Sequence, residues 1–458
     1  MPFDNSIICA ISTAAGTGAI AVIRVGGKGC IELVSNVFKS SILLTQAEGN
    51  TIHFGRLVDN ARIIDEVLAS VFRAPHSYTG EDTVELSCHG SLYIQQQVLE
   101  LFLKNGARLA EPGEFTKRAF MNGKLDLSQA EAVADLIASE NESAHKLAIE
   151  QVRGGFSKEL GLLRDGLLHF ISMIELELDF SEEEVEFADR KQLATLIQTI
   201  NTHLQGLTQS FQYGNVMKNG VPVAIVGPPN AGKSTLLNAL LNEEKAIVSE
   251  IAGTTRDVIE DQVTINGICF RFMDTAGIRS TNDTIENMGI KRTFERMNQA
   301  RIILMMVDAT QPAPVLADQL QKFVPSDNQQ LAVIVNKCDK VTYEEAKLNF
   351  ARIAGQYPIF YLSAKQREHI DMLINFLTQS VNTQTTSNVV VSNIRHYEAL
   401  TLALEAGLRV AEGLKQHISG DFVAQDIRQM LYYIGTITGE ISTDEILGNI
   451  FKNFCIGK

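Results

Sequence analysis

Residues Gly227 to Ser234 read Gly-Pro-Pro-Asn-Ala-Gly-Lys-Ser, which fits the pattern G-x-x-x-x-G-K-[ST]. An apolar run, Val221 to Val226, precedes this string and predicts a strand; Thr235 to Leu241 follows it and predicts a helix. A loop between them turns its backbone N–H groups inward around a phosphate. Gly227 and Gly232 permit the tight path, Lys233 reaches the outer phosphates, and the Ser234 hydroxyl binds Mg²⁺. Asn230, Ala231 and Thr235 complete the stretch expected to touch a nucleotide.

The base is specified further along. Asn336-Lys337-Cys338-Asp339 closes a second apolar run, Leu331 to Val335. A carboxylate at Asp339 accepts both the N1–H and the exocyclic amine of guanine, a pair that adenine does not offer. Alone, N-K-x-D is an ordinary strand end with a turn. Here it precedes Ser363-Ala364-Lys365, which follows the short run Pro358 to Leu362. Between the two base-side and phosphate-side segments lies Asp274-Thr275-Ala276-Gly277, after Cys269 to Met273. Asp274 can hold Mg²⁺ through water, and the Gly277 N–H can sense a γ-phosphate. In this order the motifs resemble GTP-binding proteins of the P-loop class, with GTP and Mg²⁺ as ligands. An ATPase is the competing reading, and the guanine-type acceptor argues against it.

Two departures from the Ras pattern carry information. Ras-like proteins place a Gln after the Asp-x-x-Gly turn to orient the attacking water. This chain has Ile278 there, and an aliphatic side chain cannot orient water. The second departure is Asn230, inside the phosphate loop, with Gly253-Thr254-Thr255-Arg256-Asp257 downstream. A neutral amide oxygen near the β- and γ-phosphates could coordinate a monovalent cation, supplying positive charge where an arginine otherwise would. Asn230 could equally cap its loop, and Arg256 could simply pair with a carboxylate. Thr255 is the expected second Mg²⁺ ligand.

These residues, with Pro112-Gly113-Glu114-Phe115-Thr116-Lys117-Arg118-Ala119-Phe120, then Lys124-Leu125-Asp126-Leu127, and the end Phe454-Cys455-Ile456-Gly457-Lys458, resemble the bacterial tRNA modification GTPase MnmE (TrmE) family. The likeness runs from Ile20 to Lys458 and departs at Pro228 and Ser91, neither of which carries chemistry. It implies a multidomain α+β and α/β architecture: an amino-terminal α+β folate-binding domain over 1–120, an all-helical domain over 121–215 and 383–458, and an inserted Ras-like P-loop GTPase domain over 216–382. It implies K⁺ held by Asn230, Ser249, Ile251 and Thr254. Around these, Glu250, Ala252, Gly253, Thr275, Ala276 and Cys338 would complete the nucleotide contacts. Glu286 would take over the water-positioning role, although by itself it reads as an exposed helix-start glutamate. Arg24, Glu85, Lys124 and Lys458 would bind a reduced folate, 5-formyl- or 5,10-methylene-tetrahydrofolate; on the residues alone each is an ordinary surface charge. Cys455, three residues from the end, could serve as a nucleophile or pack as a small residue. The resemblance further implies a homodimer, a FAD-containing MnmG partner in a heterotetramer, and alkylation at C5 of a tRNA wobble uridine. A ribosome-assembly or signalling switch and a stand-alone one-carbon transferase remain the alternatives.

Composition bounds the rest. The chain has 458 residues, a net charge of −14 and 45% hydrophobic residues. The charge points away from a broad electrostatic grip on RNA, so a local basic patch or a partner must supply it. No run of eighteen apolar residues exists, so no membrane span is expected. The start lacks a basic flank and a long apolar stretch, so secretion is not expected. Six cysteines without C-x-x-C spacing argue against disulfides and zinc and fit a reducing cytoplasm. Three- and four-residue apolar spacing over about 125–215, and again from Leu400 to Ile434, predicts one helical domain interrupted by the nucleotide-binding segment at linkers near Gly214 and Asn388. The acidic run Glu175 to Asp189 reads as a solvated helix end. No G-x-G-x-x-G fingerprint lies between strand and helix, so redox chemistry must come from a partner.

Overall fold

The computed structural model describes residues 6–179, 190–241, 246–247, 261–273, 297–312, 314, 320, 325–326, 329–355, 357–381, 390–452 and 454–457. Contacts divide the chain into two units. The first is Met1–Ala138, Ile149–Asn201 and Leu402–Lys458; the second is Ser139–Ala148 and Thr202–Thr401.

The first unit begins with β1 (Ile8–Ile11), β2 (Ile20–Gly26), α1 (Cys30–Val37), β3 (Phe38–Ser40), β4 (Thr51–Asp59), β5 (Arg62–Phe72), β6 (Thr83–His89), α2 (Leu92–Lys104) and β7 (Arg108–Leu109). The strands form one sheet in the order β3-β4-β5-β6-β2-β1-β7, antiparallel throughout except for the β1–β7 pair. Period-two alternation sets its faces. Ala21, Ile23 and Val25 of β2, Val67, Ala69 and Val71 of β5, and Val84, Leu86 and Cys88 of β6 are buried in one core with α1 and α2. The other face is open and partly apolar: Ile20, Ile52, Phe54 and Leu68 are 65%, 66%, 62% and 45% exposed. On that same face Arg24 is paired in register with Glu85.

Helices α3 (Glu114–Met121), α4 (Leu127–Ile137), α5 (Glu142–Val152), α6 (Gly155–Asp179) and α7 (Arg190–Asn219) follow. Asp126 and Gln129 form a reciprocal capping box that starts α4 where the sequence turns from loop to helix. Residues 180–189 of the acidic run lie outside the described residues. Within the described part, Glu175 is paired with Arg428 and Glu177 with Arg190.

In the second unit come β8 (Val221–Val226), α8 (Lys233–Leu241), β9 (Ala246–Ile247), β10 (Asp261–Ile265), β11 (Ile268–Phe272), β12 (Ile302–Asp308), β13 (Gln330–Asn336), α9 (Tyr343–Ala354), β14 (Ile359–Tyr361), α10 (Ile370–Gln379) and the start of α11 (Ile394–Lys415), whose residues from Leu402 on are counted in the first unit. The sheet order is β14-β13-β12-β8-β11-β10-β9. The five strands from β14 to β11 are parallel, and β10 and β9 add an antiparallel edge. Every residue of β12 is buried, as a strand covered on both faces must be. Because the strands run the same way, the loops after β8, β13 and β14 emerge at one end of the sheet, where open α/β sheets bind ligands. The chain closes with α12 (Gly420–Thr438) and α13 (Asp444–Lys452), which belong to the first unit. Among the described residues, no helix is long and apolar enough to cross a membrane.

Two expectations need correction. The phosphate-loop helix begins at Lys233, not Thr235, because the loop's last residues already bond in helical register: Leu236 N donates to Gly232 O at 2.9 Å. Gly214 lies inside α7, not in a linker. The helix continues there because its neighbours pack: Phe211 stacks on Tyr397 with centroids 4.4 Å apart, and buried Ser210 Oγ accepts from Val391 N at 3.0 Å. Ser210→Ala strands that buried N–H and should cost about 1–3 kcal/mol. The measurement is thermal unfolding of the purified protein, with a lowered midpoint expected for the transition that includes residues 202–401.

Candidate functional site

The phosphate loop is held from outside as much as by its own sequence. Asn336, the last residue of β13 and 2% exposed, donates from Nδ2 to Ala231 O at 2.8 Å and accepts at Oδ1 from Ala364 N at 2.9 Å. One side chain therefore ties the loops after β8, β13 and β14 together. Gly232 makes this possible: at φ +100°, a Cβ there would stand 2.2 Å from Asn336 Nδ2. Lys233 Nζ closes the loop on itself, donating to Gly227 O at 2.7 Å and Pro228 O at 2.9 Å. Burial pulls its pKa below the usual lysine range. An anionic phosphate oxygen is a stronger acceptor for that ammonium than the two neutral carbonyls it now contacts.

The base-side loop is braced in the same way. Lys337 takes a left-handed φ of +64°. Its Nζ donates to Asn230 O and to Asp308 Oδ2, both at 2.6 Å. Burial raises the Asp308 carboxyl's pKa, but the Lys337 and Thr310 hydrogen bonds outweigh it, and the net shift is downward. Asp308 thus stays ionised and pins the lysine. Asp339 is surface-exposed, and Ser363 Oγ donates to its Oδ1 at 2.6 Å, fixing the orientation of that carboxylate. Asn230 is exposed in a left-handed conformation of φ +63°, with its carbonyl held by Lys337. Ser234 and Thr235 occupy the first turn of α8, Cys338 N donates to Leu362 O at 3.2 Å, and Lys365 is exposed.

Residues Ser249 to Thr255, Asp274 to Gly277, Glu286 and Lys458 lie outside the described residues.

A second constellation occupies the open face of the first unit. Arg24 donates from Nε to Glu85 Oε1 at 2.9 Å. Its guanidinium lies 5.4 Å from the Tyr78 ring centroid and 5.3 Å from that of Phe115, within cation–π range of both rings. Its remaining arm donates to Gly457 O at 3.4 Å, and Ser12 Oγ donates to the same oxygen at 3.1 Å. Gly113 N donates to Cys455 O at 3.3 Å. The carboxyl-terminal segment is thereby seated on the Arg24–Glu85 pair, with the Cys455 side chain exposed. Lys124 is exposed and donates from Nζ to Pro75 O at 3.1 Å, at the border of the loop that carries Tyr78.

Sequence reasoning found Arg24 and Glu85 through resemblance and missed their supports. Ser12, Tyr78 and Asp308 are single residues in no motif, recognisable only once the fold brings them in. Phe115 stood in the quoted run Pro112 to Phe120 without a role.

The comparisons now have a geometry to meet. A family model described as the GTP-binding protein TrmE N-terminus matches residues 7–124, and one described as the MnmE helical domain matches residues 127–455. Proteins named tRNA modification GTPase MnmE match almost end to end. The Bacteroides thetaiotaomicron protein is 54% identical over 99% of this chain and 100% of its own, and the Flavobacterium johnsoniae protein 52% identical over the same shares. The chain belongs to the tRNA modification GTPase MnmE family. It is a GTP hydrolase acting in tRNA modification, with an amino-terminal TrmE domain, a helical domain and the parallel α/β sheet that carries the phosphate loop. Among solved structures, the FeoB G-domain from Methanococcus jannaschii is 23% identical over 35% of this chain and 97% of its own, at a TM-score of 0.24, too low to support any argument.

Asp308→Ala should free Lys337 from its charged partner. Losing one charge-assisted hydrogen bond of about 1.5–3 kcal/mol implies GDP dissociation roughly 10- to 100-fold faster, measured by stopped-flow release of a fluorescent GDP analogue.

Proposed function

We propose that this GTP hydrolase is a K⁺-stimulated homodimer that, with a FAD-containing MnmG subunit in a heterotetramer, installs a carboxymethylaminomethyl-type group at C5 of the wobble uridine of tRNA, using a one-carbon unit carried by a reduced folate. The observation that carries this reading is the tail: the Gly457 carbonyl rests on Arg24, which also clamps the Glu85 carboxylate, and the exposed Cys455 two residues earlier is held through its own carbonyl on Gly113.

The residues present suit the groups this reading requires. Glu85, 28% exposed at its side chain, offers a carboxylate edge to the amide-like face of a pterin, with Arg24 fixing its orientation. Lys124 and Lys458 would pair the carboxylates of the folate tail. Ser234 and Thr255 would hold Mg²⁺, which neutralises charge on the β- and γ-phosphates when bound. Asn230, Ser249, Ile251 and Thr254 form a donor set of neutral oxygens, the chemistry a monovalent cation prefers over a divalent one. Lys337 fixes the Asn230 backbone, so its amide is presented from a set position. Glu286 would accept a hydrogen bond from the attacking water's proton side and orient it, the role Ile278 cannot fill.

The exposed apolar side chains Ile52 and Phe54 of β4 and Leu68 of β5, the last two paired across the strands, support self-association, since an exposed apolar patch on a sheet marks an interaction surface. An acidic chain acting on tRNA relies on its partner or a local basic surface for RNA attraction, and a tRNA substrate fits a cytoplasmic location.

Glu286→Ala should bind GTP normally and lose most of its turnover; unchanged turnover removes the role. Hydrolysis should run much faster in KCl than in NaCl at equal ionic strength, and Asn230→Ala should abolish the difference. Equal rates for the unaltered protein in both salts would refute the cation reading.

A further inference from the structure

The run Pro112 to Phe120 is distinctive in the sequence, and it meets the Arg24 site through Phe115 over the guanidinium and Thr116, whose hydroxyl hydrogen-bonds Tyr78 at 2.9 Å. Two of its charged residues, the buried Glu114 and Arg118, form an ionic cluster with Arg108 and Glu81. Glu114, 7% exposed, accepts four N–H bonds: two from Arg108 at 2.7 and 2.6 Å, one from Arg118 at 3.0 Å, and one from Glu111 N at 2.9 Å. Arg118, 4% exposed, also donates to Glu81 Oε2 at 3.1 Å and Ser6 O at 3.0 Å. Burial alone would raise the Glu114 pKa, but the Arg108 and Glu111 hydrogen bonds and the two guanidinium charges lower it overall. The carboxylate is therefore ionised and fully engaged.

This cluster shapes one particular turn. Glu114 holds the Glu111 N–H, and between the two lies Gly113 at φ +67°. A Cβ on Gly113 would stand 2.8 Å from Phe454 Cβ and 2.9 Å from Phe451 O, so the turn is pressed against the carboxyl-terminal segment. Its N–H is the donor to Cys455 O. Phe451 and Phe454 complete the seat with Phe120, Leu127 and Leu447.

We propose that Glu114, clamped between Arg108 and Arg118, is a positioning residue for the carboxyl-terminal segment: it fixes the Glu111–Gly113 turn so that Gly113 receives the Cys455 carbonyl and, two residues on, the Gly457 carbonyl stays on Arg24. The consequence for one-carbon chemistry rests on the folate reading above; the docking itself does not.

Cys455 supplies a direct readout. It is the only exposed cysteine. Burial pushes the thiols of Cys9, Cys88, Cys269 and Cys338 up to about 11, and that of Cys30 further up. A thiol reagent at pH 8 should therefore find one fast site, which Cys455→Ser removes.

The experiment compares the labelling rate of Cys455 in the full-length protein and in Glu114→Gln, with circular dichroism and GTP hydrolysis as controls for folding. Glu114→Gln should label about tenfold faster, the effect of one lost charge-assisted hydrogen bond, and 5-formyl-tetrahydrofolate should bind about tenfold more weakly by calorimetry, while GTP hydrolysis stays unchanged. Phe454→Ala, which loosens the tail from its own side, should also label faster, and the double variant should label no faster than Phe454→Ala alone, because both changes release the same segment. Glu114→Asp, which keeps the charge, should recover part of the protection. Should Glu114→Gln fail to fold, Arg108→Met removes two of the four bonds and carries the same test. Faster labelling in a protein that never binds folate upholds the positioning role and discards the folate reading. An unchanged labelling rate in folded Glu114→Gln overturns the proposal.

Discussion

The nucleotide site depends on one buried amide. Asn336 bonds the phosphate loop through Ala231 O and the base-side loop through Ala364 N, and it fits only because Gly232 lacks a side chain. A buried amide with both ends satisfied is stabilising; with either end lost it carries a desolvation cost of a few kcal/mol. The loops after β8, β13 and β14 therefore hold or loosen together. Asp308 and Lys337 add a second tie from β12 to Asn230. The phosphate loop and the Asn336–Asp339 loop thus share one scaffold at the carboxyl end of the parallel strands.

The first unit solves a different problem: holding the far end of the chain against its beginning. Cys455 and Gly457 bond to Gly113, Ser12 and Arg24 across more than 340 residues of sequence. Closing such a loop costs entropy that grows only slowly with length, so a few good contacts suffice. Those contacts are prepaid by rigid neighbours: the two aromatic rings against Arg24, the ionic cluster at Glu114, and the apolar seat of Phe451 and Phe454. A mobile tail becomes a placed one without any covalent link.

Much of this was legible in the sequence, for a physical reason. The phosphate loop, Asn336 to Asp339 and Ser363 to Lys365 are local strings whose backbone geometry is dictated by residue type, and the apolar runs before them became β8, β13 and β14 within one or two residues. What escaped was long-range. Asp308 is one carboxylate at a strand end, and nothing nearby signals Lys337. Tyr78 and Ser12 act through partners that only the folded sheet supplies. The run Pro112 to Phe120 was visible as a pattern, but its purpose required seeing the tail arrive at Gly113. Gly214 misled because a glycine amid polar residues reads as a linker, while the stacking of Phe211 on Tyr397, which holds the helix together there, is invisible in one dimension. The acidic stretch read as solvated is partly paired, through Arg428 and Arg190.

The central claim is that the loop scaffold built on Asn336 presents a guanine site, with Asp339 as the discriminating acceptor. Displacement of a bound fluorescent GDP analogue by GTP and by ATP, side by side, tests it most directly. A site whose paired acceptor finds no matching donors on adenine should reject ATP by about 10⁴-fold relative to GTP. Displacement by ATP at concentrations close to those of GTP would contradict the account.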